Sequence, residues 1–520
     1  MTLDAVGLEV MGHAFASVAE EMGLVLIHSS VSPNIRERRD CSAALFDAEG
    51  AMIAQAAHIP VHLGAMPESV AAVRALAPRP GDVFILNDPF TGGSHLPDIT
   101  LVAAIEVESA VGGYAVVRAH HSDVGGVQAG SMPAGAREIF AEGVILPPLR
   151  LTPEVEHLLL ANVRTPEARR ADLAAQRAAV ERGADGLRAL VTRYGWDTVR
   201  HAARDLIAYA ERRAREALRR ITATGFSATD RVEGDGVDDA DLVIRVRVDI
   251  RDGVFHADFT GTAPAARGNV NCPLAVARSA VLFVVRTLLP ADVPTNGGVQ
   301  RAVRVTAPEG CLVNARHPSA VAAGNVETSQ RIADTVFLAL SRGGVAVPAQ
   351  GQGTMNNVTF GGMEVPPREG EVVGRAWTYY ETIAGGQGAS PAAAGPSGVH
   401  VGMSNTRNTP IEVLELEYPL RVRGYALRRG SGGAGKWAGG DGVIREFEAL
   451  APVEASILAE RRRHQPQGAA GGGHGAPGRT ILNGTPLPSK VRALLEPGDV
   501  LRIETPGGGG WGTPGQGDER

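Results

Sequence analysis

The stretch ILNDPFTGGSHLPDIT, Ile85 to Thr100, gathers Asn87, Asp88, His95 and Asp98 into twelve positions held apart by proline and glycine. Pro97 turns Leu96 away from helical angles, so His95 and Asp98 belong to a turn and not to neighbouring faces of a helix. Three residues apart on a turn, an imidazole and a carboxylate can converge on one ion. Further on, RAHHSDVGG offers His120, His121 and Asp123 ahead of a glycine pair. If the strands leading into these two loops are neighbours, their ends lie about 5 Å apart and one N/O site can draw on both. Imidazole with carboxylate and no thiolate suits Mn, Fe(II) or Zn, whereas Mg is a poorer partner for histidine. Taken singly, each of these groups is as well explained as a cap or a hydrogen-bonded turn acid. The convergence of HxxD with HHxD behind consecutive strands is what favours a metal.

Two more segments bear on the same site. NIRERRDCSAALFD supplies Glu37 and Asp40 ahead of a strand, where acids are usually solvated. HIPVHLG supplies His58 and His62 at a spacing of four, but Pro60 between them excludes a helical ligand pair. Those two histidines are expected to line or support a pocket.

The elements that must position these groups alternate in type up to about residue 150. MGLVLIHSS, CSAALFD and AMIAQ read as strands, the last two joined by a DAEG turn. LGAMPESVAAVRAL reads as a helix, and DVFILND and GYAVVRAHH as two more strands with polar residues at their carboxyl ends. Open α/β sheets place their chemistry at such ends. In residues 153–222, Leu173, Val180 and Leu187 repeat at seven, and Val199, Leu206, Ala210, Ala214, Ala217 and Ile221 share one helical face. RYGWD is the turn between, with Asp197 the expected N-cap, so a helical hairpin is predicted. Its apolar face serves either the core or a partner. DLVIRVRVDIRDGVFHADFTGT then reads as a β-hairpin, and VARSAVLFVVRTLL and VETSQRIADTVFLALSR as helices.

Composition bounds the rest. At 520 residues the chain exceeds one ordinary core, and its 44% hydrophobic content suits a globular protein. No run of 18 to 20 apolar residues is evident, and the acid-bearing start lacks a basic leader, so a cytoplasmic protein is expected, without membrane association. The net charge of −6, with signs mixed along the chain, gives no footprint for nucleic acid. Cys41, Cys272 and Cys311 stand alone, which argues against disulfides or a thiolate cluster. Glycine, 65 residues, concentrates beyond about residue 350, where tight turns or close backbone approach are expected. GSGGAGKW, Gly430 to Trp437, satisfies GxxxxGK, but tryptophan stands where Ser or Thr should meet Mg²⁺, and no strand-to-helix context surrounds it. It is rejected as a phosphate loop. The expected fold is mixed α/β (α+β) and multi-domain: an α/β unit with the metal site (1–150), a helical hairpin (151–225), an α/β segment (226–350) and a Gly-rich, β-rich C-terminal half (351–520).

Nine segments in order resemble the hydantoinase B/oxoprolinase family: ERRDCSAALFD, HIPVHLGAMP, NDPFTGGSHLPDIT, AHHSDVGG, EIFAEGVILPP, GNVETSQRIADTVFLAL, YYETIAGGQGA, NTRNTPIEVLE and GAGKWAGGDGVIREFE. The family includes N-methylhydantoinase B subunits, a subunit of acetone carboxylase and the C-terminal part of 5-oxoprolinase. The resemblance implies a metal-bearing catalytic subunit of a hetero-oligomer, paired with a hydantoinase A-type ATPase subunit that binds ATP-Mg and acting on a small cyclic amide or, in the carboxylases, a ketone. It implies manganese before zinc or iron, with His95, Asp98 and His120 as ligands and a fourth acid from Glu37 or Asp40. His121 stands where relatives commonly have an aromatic, which leaves His120 and His121 as alternatives. Asp123, as a carboxylate orienting a ligand histidine, His121 and Glu381 are the catalytic candidates. Glu381 heads ETIAGGQGAS, whose backbone N–H groups are expected to face an anionic intermediate. Rival readings are an ATP-dependent carboxylase and a non-catalytic scaffold for an ATPase.

Overall fold

The computed structural model describes residues 4–62, 64–221, 224–362 and 376–515. Leu63, at the head of the expected LGAMPESVAAVRAL helix, and the tail beyond 515 lie outside the described residues. The chain opens with α1 (Ala5–Ser29) and the single turn α2 (Pro33–Arg36). The hairpin β1 (Cys41–Asp47) and β2 (Met52–Ala57) follows, then α3 (Met66–Arg74). Next come β3 (Val83–Leu86), β4 (Asp98–Val107), β5 (Ala110–His120) and the short β6 (Leu149–Arg150). These strands form one sheet in the order β2-β1-β5-β4-β3-β6, antiparallel at every pairing. Both faces are covered, which is why β4 and β5 carry near-continuous apolar runs in place of alternation.

Three expectations change here. MGLVLIHSS is the last third of α1, because Met11, Phe15, Val18, Met22 and Leu26 form one stripe that continues through it. A uniformly apolar stretch carries no period of its own. By length and composition α1 could also cross a membrane, although the stripe is packed in the core. DVFILND and GYAVVRAHH are not neighbours: β4 lies between β3 and β5, and the sheet is antiparallel, so the polar ends that meet are the start of β4 and the end of β5.

The hairpin is present as α4 (Pro153–Leu160), α5 (Pro166–Tyr194) and α6 (Trp196–Arg219). Gly195, with φ +81°, makes the turn and is itself the N-cap; Asp197 lies in the first turn of α6 and binds Arg200. The apolar face of α5 and α6 packs on α1 and the first sheet, with Leu173, Val180, Leu187, Val199 and Leu206 in one cluster with Phe15, Met22, Leu101 and Val117. The hairpin is core and not a free arm. On the opposite face α3 covers the sheet through Val70 and Val73 against Phe84, Val102 and Val116.

A second sheet, β7 (Phe226–Glu233), β8 (Asp241–Arg251), β9 (Val254–Asp258) and β10 (Val303–Thr306), carries α7 (Leu274–Leu288), α8 (Gly297–Arg301) and α9 (Ser329–Arg342). One turn of π-helix, Gly324–Thr328, leads into α9. The remainder is β-rich: β11 (Asn357–Gly362), β12 (Trp377–Glu381), β13 (Leu420–Arg428), β14 (Gly442–Ala449), β15 (Val453–Leu458), β16 (Arg479–Leu482), β17 (Thr485–Pro486), β18 (Lys490–Leu495) and β19 (Val500–Glu504). They form sheets ordered β12-β11-β15-β18 and β13-β14-β19-β16-β17, packed around Phe360, Tyr379, Phe447, Ile457 and Leu501. Gly430 to Trp437 runs from strand to strand, as its rejection as a phosphate loop requires.

The glycine-rich segments pack on one another. Gly508 donates its N–H to the Gly440 carbonyl, Gly509 to Gln350, Gly510 to Gly473 and Gly433 to Gly508. A Cβ on Gly508 would sit 2.0 Å from the Gln387 oxygen, and one on Gly439 2.0 Å from the Gly508 oxygen. Backbone meets backbone here without room for a side chain, which accounts for the composition.

Candidate metal centre

Antiparallel pairing sets Asp98, the first residue of β4, directly opposite His120, the last of β5. The turn before β4 brings His95 to the same end. Its shape is held by local chemistry. The Asn87 amide donates to the Leu96 and Val144 carbonyls and its oxygen accepts from the Leu146 N–H. Asp88 accepts from the Phe90 N–H and the Thr91 hydroxyl, so it closes the turn and is not part of the site. Gly93 is required because a Cβ there would stand 2.2 Å from the Asn87 carbonyl oxygen.

The three groups form a buried cluster whose candidate ligand atoms all lie within 4.8 Å of one another. His95 Nε2 is 3.1 Å from Asp98 Oδ1, and His120 Nδ1 is 3.3 Å from the same oxygen. Despite these distances, neither ring nitrogen of His95 is in hydrogen-bonding geometry, and Nε2 of His120 also lacks a partner. Buried imidazole nitrogens without partners, clustered about a carboxylate, fit a coordinated cation, which would take one nitrogen from each ring. Burial alone would push the Asp98 carboxyl up, but the adjacent His95 and His62, with hydrogen bonds from His120 and His62, outweigh it and hold Asp98 well below the usual carboxylate range. Burial lowers the pKa of His120 against the pull of Asp98 and Asp40, keeping the ring in the neutral form that ligates. The donor set is N,N,O without sulfur, which suits a divalent transition ion.

Around the cluster lies a small cavity of about 20 Å³. His62 reaches Asp98 Oδ2 at 3.4 Å while its Nδ1 pairs with the Ser42 hydroxyl at 2.9 Å, so it supports the carboxylate as expected. His58 does not line this cavity. The Ser94 hydroxyl donates to Asp98 Oδ2 at 2.6 Å, and the Asn325 amide approaches the same oxygen at 3.4 Å. Asp40 is in the cavity wall and outside the three-group cluster. Glu37 is a quarter exposed and faces Arg36. Of the two acids, Asp40 is the one the fold brings to the site.

The catalytic candidates fare differently. His121, the next residue after His120, faces the other way: its Nε2 meets Gln176 on α5 at 2.8 Å, and burial, assisted by Arg169, lowers its pKa to about 4. His120 is therefore the one at the cluster. Asp123 accepts from the N–H groups of Gly125, Gly130 and Arg164 and from the Arg164 guanidinium, so its charge shapes the loop and orients no ligand histidine. Glu381 is fully committed to Arg445 and the Tyr379 hydroxyl inside the C-terminal sandwich. Several of the N–H groups after it are spent as well: Gly385 donates to Val399, Gly386 to Pro506 and Ala389 to Gly509.

Groups the sequence reading passed over complete the wall. Tyr380 stacks on the His120 ring, centroids 4.4 Å apart. The buried Arg38 donates to the Tyr380 carbonyl and to the Thr382 and Thr406 hydroxyls, tying the C-terminal half to the metal loops. Each lies in a motif the resemblance rests on, ERRD or YYET, but only the folded chain shows that they meet.

The hydantoinase B/oxoprolinase family model matches residues 4–514. 5-oxoprolinase 1 of Arabidopsis thaliana is 37% identical over 98% of this chain, which spans only 42% of that protein. The crystal structure of ATP-dependent caprolactamase from Pseudomonas jessenii superposes with a TM-score of 0.89 at 28% identity, covering 99% of this chain and 92% of its own. Acetone carboxylase superposes with a TM-score of 0.85 over 98% of this chain and 76% of its own, at 17% identity a likeness of fold alone. With a family model matched almost end to end, and the residues of its motifs gathered at one buried N,N,O cluster, the chain belongs to the hydantoinase B/oxoprolinase family.

Proposed function

We propose that this chain is the metal-bearing catalytic subunit of an ATP-dependent cyclic-amide hydrolase, working with a separate hydantoinase A-type ATPase in a hetero-oligomer. The observation that carries the reading is the buried His95, Asp98 and His120 cluster with its unpartnered imidazole nitrogens, in a chain similar throughout to an ATP-dependent caprolactamase. Manganese is the first choice of ion, with zinc and iron as alternatives, and Asp40 is the nearest further carboxylate. An ATP-using partner and three reduced, buried cysteines suit a cytoplasmic setting.

Ring amides resist hydrolysis because resonance stabilises the carbonyl and nitrogen leaves poorly. In this reading the partner transfers a phosphoryl group from ATP to the carbonyl oxygen. Water then attacks the carbon, the C–N bond of the adduct breaks to release the amine and leave an acyl phosphate, and a second water hydrolyses that to a carboxylate and phosphate. A divalent ion, when bound, polarises an oxygen or lowers the pKa of a water. His95, Asp98 and His120 hold that ion, and His62, Ser94 and Asn325 hold Asp98 in place. Tyr380, Ile59, Val61 and Met355 form much of the remaining wall, keeping bulk water from the site.

Elemental analysis of protein purified without chelator tests the reading, with about one transition ion per chain expected. Asp98→Asn keeps size and removes charge, so metal should be lost while circular dichroism is unchanged. Full metal occupancy and full activity with the partner in this variant would refute the site. A metal-free parent that still supports partner ATPase activity would leave the scaffold reading standing.

A further inference from the structure

A second cavity, of about 440 Å³, opens on the other side of the β5 terminus and shares no lining residue with the metal cavity. Its floor is the N-terminus of α5, Thr165 to Arg169, and its walls are Val31, Pro33, Pro166, Trp377 and Tyr418. The first amides of a long helix have no intrahelical acceptor; Pro166 opens α5 and has no N–H, so here these are the amides of Glu167 and Ala168, and Thr165 makes no side-chain cap to them.

Polar groups in the wall are unsatisfied in a consistent sense. Arg169 is 2% exposed; its Nη2 binds Asp172 at 2.8 Å, but Nε and Nη1 are buried with no hydrogen-bond partner among the described residues. The hydroxyls of Ser32, Thr165 and Thr378 are likewise buried without partners. A guanidinium edge, hydroxyls and free helix amides offer donors, so the missing partner is an acceptor. The charge limits its kind. Asp172 already neutralises part of Arg169, and Glu167 and Glu417 also line the cavity, which disfavours a dianion. The aromatic and proline walls call for an apolar body.

We propose that this cavity is a binding site for a small organic monocarboxylate, its oxygens received by Arg169, Ser32, Thr165 and Thr378 at the start of α5 and its apolar part against Trp377 and Tyr418. These donor atoms are buried within residues that line the cavity, so a carboxylate reaches them once those side chains rotate toward it. The site stands independently of the ring-opening reading.

Calorimetric titration of the full chain with benzoate tests it, with benzamide as the neutral isostere and inorganic phosphate as the dianion. Saturable binding of one benzoate per chain is expected, with benzamide and phosphate each at least about tenfold weaker. Arg169→Gln should abolish binding, but it leaves Asp172 without its cation and can unfold the region. Ser32→Ala with Thr378→Val is therefore the deciding variant: it removes unpartnered hydroxyls, so melting is unchanged, while benzoate affinity falls about tenfold. Asp98→Asn should leave benzoate affinity unaltered. Equal binding of benzoate and benzamide, no saturable binding, full affinity in the Ser32/Thr378 variant, or loss in Asp98→Asn would each overturn the assignment.

Discussion

At the scale of the residue, the site works because each polar atom of Asp98 is spoken for. His62 and Ser94 fix one oxygen, leaving the other to face His95 and His120. His62→Ala should weaken metal affinity by about 10- to 100-fold without removing a ligand, measured by competition with a chelator. Affinity equal to the parent's would show that Ser94 and Asn325 suffice. A different buried acid sets a pH dependence. Burial raises the Glu142 pKa to about 8, against hydrogen bonds from the Val321 and Ala322 N–H groups. The folded state therefore holds a proton that the unfolded state releases near 4.5, and stability contributed by this group is present below that pH and lost as pH rises toward about 8. Glu142→Gln mimics the protonated acid, so its melting temperature should fall less between pH 5 and 8 than the parent's, by roughly 2 °C or more. Parallel curves would remove Glu142 as the source.

At the scale of the element, the decisive pieces are β4 and the glycine bundle. β4 has no alternation to advertise it, yet it supplies Asp98 and places it across from His120. The glycine bundle closes the C-terminal half by backbone contact. Gly508→Ala should destabilise the chain by more than about 2 kcal/mol in urea unfolding, because the new Cβ would overlap the Gln387 carbonyl with no flexible side chain to yield. Gly135→Ala, where nothing lies within 4 Å, is the control and should be near neutral. A Gly508→Ala protein as stable as the control would mean that the bundle relaxes easily.

At the scale of the whole molecule, the metal loops and the C-terminal half are one structure: Arg38 and Tyr380 join them at the site. The phosphate loop is absent from the one candidate position, so the purified chain should hydrolyse neither ATP nor a lactam, and mixing with the proposed ATPase partner should create ATP-dependent ring opening. Turnover by the chain alone, free of contaminants, would expose a missed nucleotide site. The sequence by itself determined His95 and Asp98 as candidate ligands with a histidine of the His120–His121 pair, the strands and helices with a clear period, and the family, because residue chemistry and short-range spacing survive without coordinates. Only the tertiary structure decided between His120 and His121, drew Asp40 in and left Glu37 out, and assigned Asp123 and Glu381 to loop and sandwich. Those outcomes depend on which side of a strand end a residue faces and on partners tens to hundreds of positions away, and neither is encoded in local pattern. The same holds for the apolar end of α1 and for the glycines, whose close approach is to each other.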